Sequence, residues 1–487
     1  MATTYVTFTQ TTAETLDGSD FLIVQSRING TSLSPAVDVF GANNDIYVQG
    51  SINNTGGRSV SVAGSSSNLT VAEEGRIFQA SSFGGSAVAL DNGTGFHTVT
   101  NFGQITGNFG IATIGTSTSN KIFNHGTITG TESTSSVAGV AFRSDFNKLT
   151  NTGIVTGSAL GVQITDVADQ NLILNYGEIV GQTGVSNRGQ GTELVNHGLI
   201  SGDRGLSSTG TNFNFVNHGE VVGESGSTFS GDNLEFTNHG TVVSVSGIAL
   251  SVAGADGMVS NFGTIVGGVI SFSSSGVTIE NEGLIDGDVE FLSGDNSYLA
   301  SRDGVVTGAV IGGTGVDMMT GGASQDTMRG GGQADTIRGH GDDDDLKGNA
   351  GDDTVKGNRG DDTIAGNNGA DTLYGGHGDD IMTAGKGTDV INGGRGDDQM
   401  SGGKGNDIFV FARTSDDDVI TDFTNNKDSL DLSRLDAASF AEIDSAGVVS
   451  SNGNGGSVLD LSLIGGNGLL EVETMSVGQW NAADFIL

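Results

Sequence analysis

The chain has 487 residues, 83 of them glycine, with one proline (Pro35), one tryptophan (Trp480) and no cysteine. Against 20 Lys+Arg stand 58 Asp+Glu, a formal net charge of −38. Glycine far below one third with almost no proline excludes collagen, the missing thiol excludes a disulfide scaffold, a thiolate zinc site and a cysteine nucleophile, and the acid excess argues against nucleic-acid or anionic-membrane partners. Residues 1–20 contain no basic region followed by an apolar core, so no Sec-type leader is expected there. No apolar run is long enough for a transmembrane helix. The Ser/Thr-rich stretch 1–44 reads as an N-terminal cap or attachment segment.

Residues 45–311 carry the first repeat, whose core is apolar, any, Asn, any, Gly, any, Ile/Val, any, Gly. Its asparagines are Asn101, Asn124, Asn151, Asn175, Asn196, Asn217, Asn238, Asn261 and Asn281. Asn-x-Gly is a turn signal, because glycine permits positive φ and asparagine hydrogen-bonds neighbouring backbone. Short β-branched runs flank it, and a Gly-apolar pair such as Gly161-Val162 or Gly205-Leu206 adds a third short strand. Three short strands per repeat without a helical period predict a right-handed parallel β-helix. Equivalent asparagines would then stack as an internal amide ladder. The pattern resembles the passenger stems of bacterial surface adhesins and autotransporters. Tyr176, His197, His218 and His239 each follow a turn asparagine and would form an outward column. Flat-ring packing, a sugar-binding strip, a transition-metal site and a pH-sensitive surface all fit that spacing.

From Gly312 to Val410 the period becomes nine, in eleven consecutive copies. Position 6 is Asp317, Asp326, Asp335, Asp344, Asp353, Asp362, Asp371, Asp380, Asp389, Asp398 and Asp407, and position 8 is always apolar. Position 1 is glycine except at Ala384, and position 4 is glycine except at Ser324, Gln333 and Asp342. This pattern is similar to the repeats-in-toxin (RTX) nonapeptide, a calcium-binding β-roll repeat. Six residues turn and three form a strand, so alternate repeats stack. Calcium wants six to eight hard oxygens. Position-6 carboxylates and turn carbonyls near Gly312, Gly348, Gly357, Gly366, Gly375, Gly393 and Gly402 can supply them. Stacked pairs of turns set a ceiling of about nine ions. The turns lacking the position-4 glycine are the expected weak or empty sites.

Residues 411–487 alternate apolar and polar residues, as in Asp418–Phe423 and Asp428–Ser433, and should close the open sheet edge as a β cap. The ending Ala483-Asp484-Phe485-Ile486-Leu487 resembles the uncleaved C-terminal signal for type I secretion. The resemblance implies export by that machinery, an extracellular or cell-surface location and folding on external Ca²⁺. Function in the β-helix stays open. Proteins that join a β-helix to RTX repeats include mannuronan epimerases, but their Asp-Pro-His-Glu motif is absent, since the sole proline stands in Ser34-Pro35-Ala36. A non-enzymatic surface, matrix, adhesion or S-layer-like protein is the leading expectation, binding cell-surface polysaccharide or self-assembling. A polysaccharide lyase or epimerase is the alternative.

Overall fold

The computed structural model describes residues 3–6, 14–16, 20–31, 34–80, 85–91, 96–115, 119–131, 137–435, 439–445 and 448–487. Parts of the segment expected at 1–44 therefore lie outside the described residues. The fold is almost wholly β, a parallel solenoid, as the repeats predict. It divides into two compact units, Met1–Gly268 and Val269–Leu487.

In the first unit a coil has three strands. Lys121–Asn124, Thr127–Gly130 and Ala138–Phe142 make one such coil. Each strand pairs in parallel with its counterpart one coil on, with Ile122 opposite Leu149, Ile128 opposite Val155 and Val140 opposite Val162. Alternation along each strand turns one side chain in and the next out. The inward apolar residues stack into columns. Ile122, Leu149, Ile173, Leu194, Phe215 and Phe236 form one, Ile128, Val155, Ile179, Ile200 and Val221 another, and all are at most 1 % exposed. Each such burial is worth about 1.5–3 kcal/mol, and the identity of neighbours from coil to coil fixes the register.

The turn asparagines point inward, fully buried, and form the expected ladder. Asn101 Nδ2 donates to Asn124 Oδ1 at 2.8 Å, and the chain of amides continues through Asn151, Asn175, Asn196, Asn217 and Asn238 to Asn261 at 2.7–2.9 Å. The same amide groups also donate to backbone carbonyls, as Asn151 Nδ2 does to Glu178 O at 3.0 Å. Asn101 Oδ1 has no partner, because Val71 occupies the corresponding place in the coil before. The following glycines serve differently from expectation. Gly126, Gly153, Gly177, Gly198, Gly219 and Gly240 are not among the positive-φ residues. A Cβ there would instead collide with the carbonyl oxygen of the equivalent glycine one coil earlier. Close approach of coils, not backbone handedness, demands glycine at these turns.

In the second unit the coil shortens to two strands over residues 312–410. Met319, Ile337, Val355, Leu373, Ile391 and Phe409 stack in one sheet, and Met328, Leu346, Ile364, Met382 and Met400 in the other. These position-8 residues are at most 1 % exposed and form the thin core. Beyond them, Asp418–Ile420 pairs with Leu469–Val472, which continues into an antiparallel meander with Ser457–Asp460 and Val449–Ser451. The last strand, Phe485–Ile486, pairs with Leu430 and Asp431. Trp480 lies between Phe423 and Phe485, both at 5.3 Å, and donates Nε1–H to Ser457 Oγ at 3.0 Å.

Candidate metal centre

The eleven position-6 aspartates fall into two buried columns, one beneath each row of turns, each residue at most 4 % exposed. Repeats two apart are neighbours. In the first column the backbone N–H of Asp317 donates to Asp335 Oδ1, and the pattern runs through Asp353, Asp371, Asp389 and Asp407 at 2.7–3.0 Å. In the second it runs from Asp326 through Asp344, Asp362, Asp380 and Asp398 at 2.7–2.9 Å.

From Asp317 and Asp344 onward each Oδ1 thus accepts a backbone N–H, while Oδ2 does not. Ten of the eleven Oδ2 atoms are buried without a hydrogen-bond partner. The exception is Asp326, whose Oδ2 accepts from Gly322 N at 2.8 Å. A buried acceptor without a donor costs several kcal/mol, roughly, and more when charged. Burial, then the neighbouring carboxylates, push these groups up: Asp362 to about 6, Asp335 to about 7 and Asp344 and Asp380 to about 8, against the pull of the backbone N–H bonds.

What faces nine of the ten orphaned oxygens is the position-1 glycine; in the repeat of Asp389 that position is Ala384. A Cβ on Gly330 would meet both Asp335 Oδ2 and the Gly348 carbonyl oxygen, and one on Gly375 would meet both Asp380 Oδ2 and the Gly393 carbonyl oxygen. Beside Gly312, Gly330, Gly339, Gly366 and Gly375 the space therefore gathers a carboxylate oxygen and a carbonyl oxygen from successive stacked turns. The head of the first column shows what such a place needs. Asn296 stands there, with its N–H donated to Asp317 Oδ1 at 2.8 Å. Its amide Nδ2 donates to the turn carbonyls of Gly294 at 2.7 Å and Ser293 at 3.3 Å. Where asparagine presents a donor to the turn, aspartate presents a second acceptor. Acceptors facing acceptors are reconciled by a hard cation, and an all-oxygen shell fits Ca²⁺. Among the described residues no three His, Cys, Asp or Glu side chains gather at one point; these clusters pair side-chain with main-chain oxygens.

The position-4 departures do not act alike. Gln333 and Asp342 hold positive φ, as Gly351, Gly360, Gly369, Gly378, Gly387 and Gly396 do, and Asp335 and Asp344 keep orphaned Oδ2 atoms. Ser324 does not, and its turn alone closes on its own aspartate through Gly322. Two column members escaped the nine-residue count. Asp398 N donates to Asp418 Oδ1, and Asp407 N to Asp428 Oδ1, both at 3.0 Å. Their spacings are 20 and 21 residues, yet both keep the Asp-x-apolar triplet that could have found them.

The ring column in the first unit is a true stack. Tyr176, His197, His218, His239 and Phe262 follow one another at 4.7–4.9 Å between centroids, with planes within 15°. The three histidines have a ring on both faces, so only their edges reach solvent. The nitrogen lone pairs lie in those parallel planes and do not converge.

Residues 311–346, 347–382 and 374–409 match the family model described as RTX calcium-binding nonapeptide repeat (4 copies). No curated protein matches the chain. The roll beneath the orphaned aspartate oxygens is a run of RTX calcium-binding nonapeptide repeats set in the C-terminal part of a parallel β-solenoid.

Proposed function

We propose that this is an exported calcium-binding protein that folds on external Ca²⁺ and serves as a non-enzymatic surface, matrix or adhesive component. The carrying observation is the set of buried, partnerless Oδ2 atoms facing turn carbonyls. In this reading Asp317, Asp335, Asp353, Asp371, Asp389 and Asp407 hold ions on one side of the roll, and Asp344, Asp362, Asp380 and Asp398 on the other. The position-1 carbonyls complete the shells, and Asp326 stands outside the set. In a calcium-poor cytosol the mutual repulsion of these columns leaves the roll unfolded and fit for export by a type I machinery, and calcium outside folds it. The long first unit then presents a regular surface for a polysaccharide or for copies of itself.

Trp480, the sole tryptophan, reports on the end of the roll. The intact chain is titrated with Ca²⁺ from EGTA while its emission and far-ultraviolet circular dichroism are followed. The expected result is a blue shift and a gain of β signal saturating with several ions bound. A buried tryptophan and full β signal already present in EGTA would overturn the reading. Electron microscopy of the calcium-loaded chain then separates layers or filaments from a soluble monomer.

A further inference from the structure

One edge of the roll carries a column of position-3 residues that is unlike the acid surface around it. Arg302 heads it, since its carbonyl accepts from Ala323 N at 3.2 Å. Ala323 and Gly341 follow, and Arg359, His377 and Arg395 continue in strict register. The two small residues leave a notch between two arginines. A cleft of about 800 Å³ lies there, lined by Arg302, Ala323, Gly341 and Arg359 together with His340 and Asp342. Its origin is visible in the pairing. Asn358 and Arg359 pair with Gly376 and His377 below, whereas the strand above, Thr336–Arg338, ends before reaching them.

The side chains of this column are free to act outward. Arg302, His340, Arg359, His377 and Arg395 are all exposed. Among the described residues the ion pairs are Arg58–Asp91 and Lys347–Asp345, so none of the three arginines is in one. Of the neighbouring carboxylates, Asp342 Oδ1 accepts from Asp343 N at 3.2 Å, and Asp361 Oδ1 accepts from Asp379 N and Asp379 Oδ1 from Asp397 N, both at 2.9 Å.

We propose that this edge binds a linear anionic glycan, carboxylated or sulfated, seated in the notch and running along the column. At ~4.8 Å per coil, Arg302 and Arg359 stand roughly 14 Å apart and Arg359 and Arg395 roughly 10 Å. A pyranose chain advances by about one coil step per ring, so its charges meet successive guanidinium groups, which pair with carboxylate or sulfate in bidentate fashion. The floor of glycine and alanine lets the rings approach the backbone. Single-stranded nucleic acid is disfavoured, because the cleft offers no tyrosine, phenylalanine or tryptophan for bases to stack on.

The track exists only in the folded roll, so the inference rests on calcium-dependent folding. The test uses the full chain in saturating Ca²⁺ and isothermal titration with four probes: an oligogalacturonate too short to gel, a sulfated galactan oligomer, a neutral glucan oligomer and single-stranded DNA. The expected result is binding of at least one anionic glycan, weakening as salt rises, with no binding of the neutral one. The double variant Arg302→Gln, Arg359→Gln should bind at least ten-fold more weakly, with Trp480 emission and calcium stoichiometry unchanged. Absence of binding to both anionic glycans, unchanged binding by the variant, or DNA bound as tightly as glycan would overturn the track. A chain whose Trp480 emission ignores calcium sinks the folding reading instead, so the two failures are told apart.

Discussion

Asp326 and Asp362 occupy the same position of the nonapeptide and the same buried column, yet differ at one oxygen. Asp362 Oδ2 is orphaned, and Asp326 Oδ2 holds Gly322 N. Asp362→Asn should therefore lower the number of calcium ions bound by at least one, whereas Asp326→Asn should leave it unchanged; titration calorimetry or equilibrium dialysis decides. An equal loss in both variants would refute the assignment. The asparagine ladder makes a parallel point without a metal. Asn196 accepts from Asn175 Nδ2 at 2.7 Å and donates to Asn217 Oδ1 at 2.8 Å. Asn196→Ala leaves Asn217 Oδ1 without its amide donor, at ~1–3 kcal/mol for the orphaned group, while Asn175 Nδ2 keeps the carbonyls of Gly177 and Leu199. Thermal unfolding followed in calcium should show a lower melting temperature for the first unit, and an unchanged one would mean that the ladder is not stabilising.

At the scale of strands and columns, periodicity made most of the architecture legible. An apolar residue two before each asparagine and an Ile or Val four after it are the inward positions of two strands, and the structure uses them so. Period nine carried the two faces of the roll and its single layer of core. Exact spacing was also what hid Asp418 and Asp428, because insertions in the turns before them stopped the count while the column went on. The ring stack was legible as a column but not as a contact: sequence places Tyr176 and three histidines one coil apart, and only the geometry shows that their faces are closed. It carries a pH dependence. Burial, then the charges of His197 and His239, hold His218 below its ordinary 6.5. The unfolded chain therefore takes up this proton first. The contribution to stability is complete above about pH 6.5 and is lost as pH falls below it. The first unit should melt lower at pH 5 than at pH 8, and His218→Gln should narrow that gap; a gap of undiminished size would remove the stack from the explanation.

Over the whole molecule, the two units differ in what their interiors ask of the solvent. The first closes its buried polar column with its own amides, from Asn101 to Asn261. The second leaves ten acceptors open. Chelation should thus act unevenly: limited proteolysis in EGTA should digest the region after about residue 269 and spare a fragment from the first unit, as mass spectrometry of the products would reveal. Uniform digestion would show that the first unit cannot stand without the second. Sequence disclosed this contrast in outline, since asparagine and aspartate are visible as letters. It did not disclose the cleft beside Arg302, which arises where one strand stops a few residues short of its neighbour.

Asn296 above Asp317 brings the contrast down to one atom, an amide nitrogen replaced by a carboxylate oxygen in an otherwise continuous column. A roll with asparagine at every such place would be self-sufficient, complete as soon as it was synthesised and too rigid to be threaded through a pore. The aspartates withhold that completeness. If the chain is exported as proposed, its inability to finish its own interior is what lets it travel, and calcium met outside supplies the missing part.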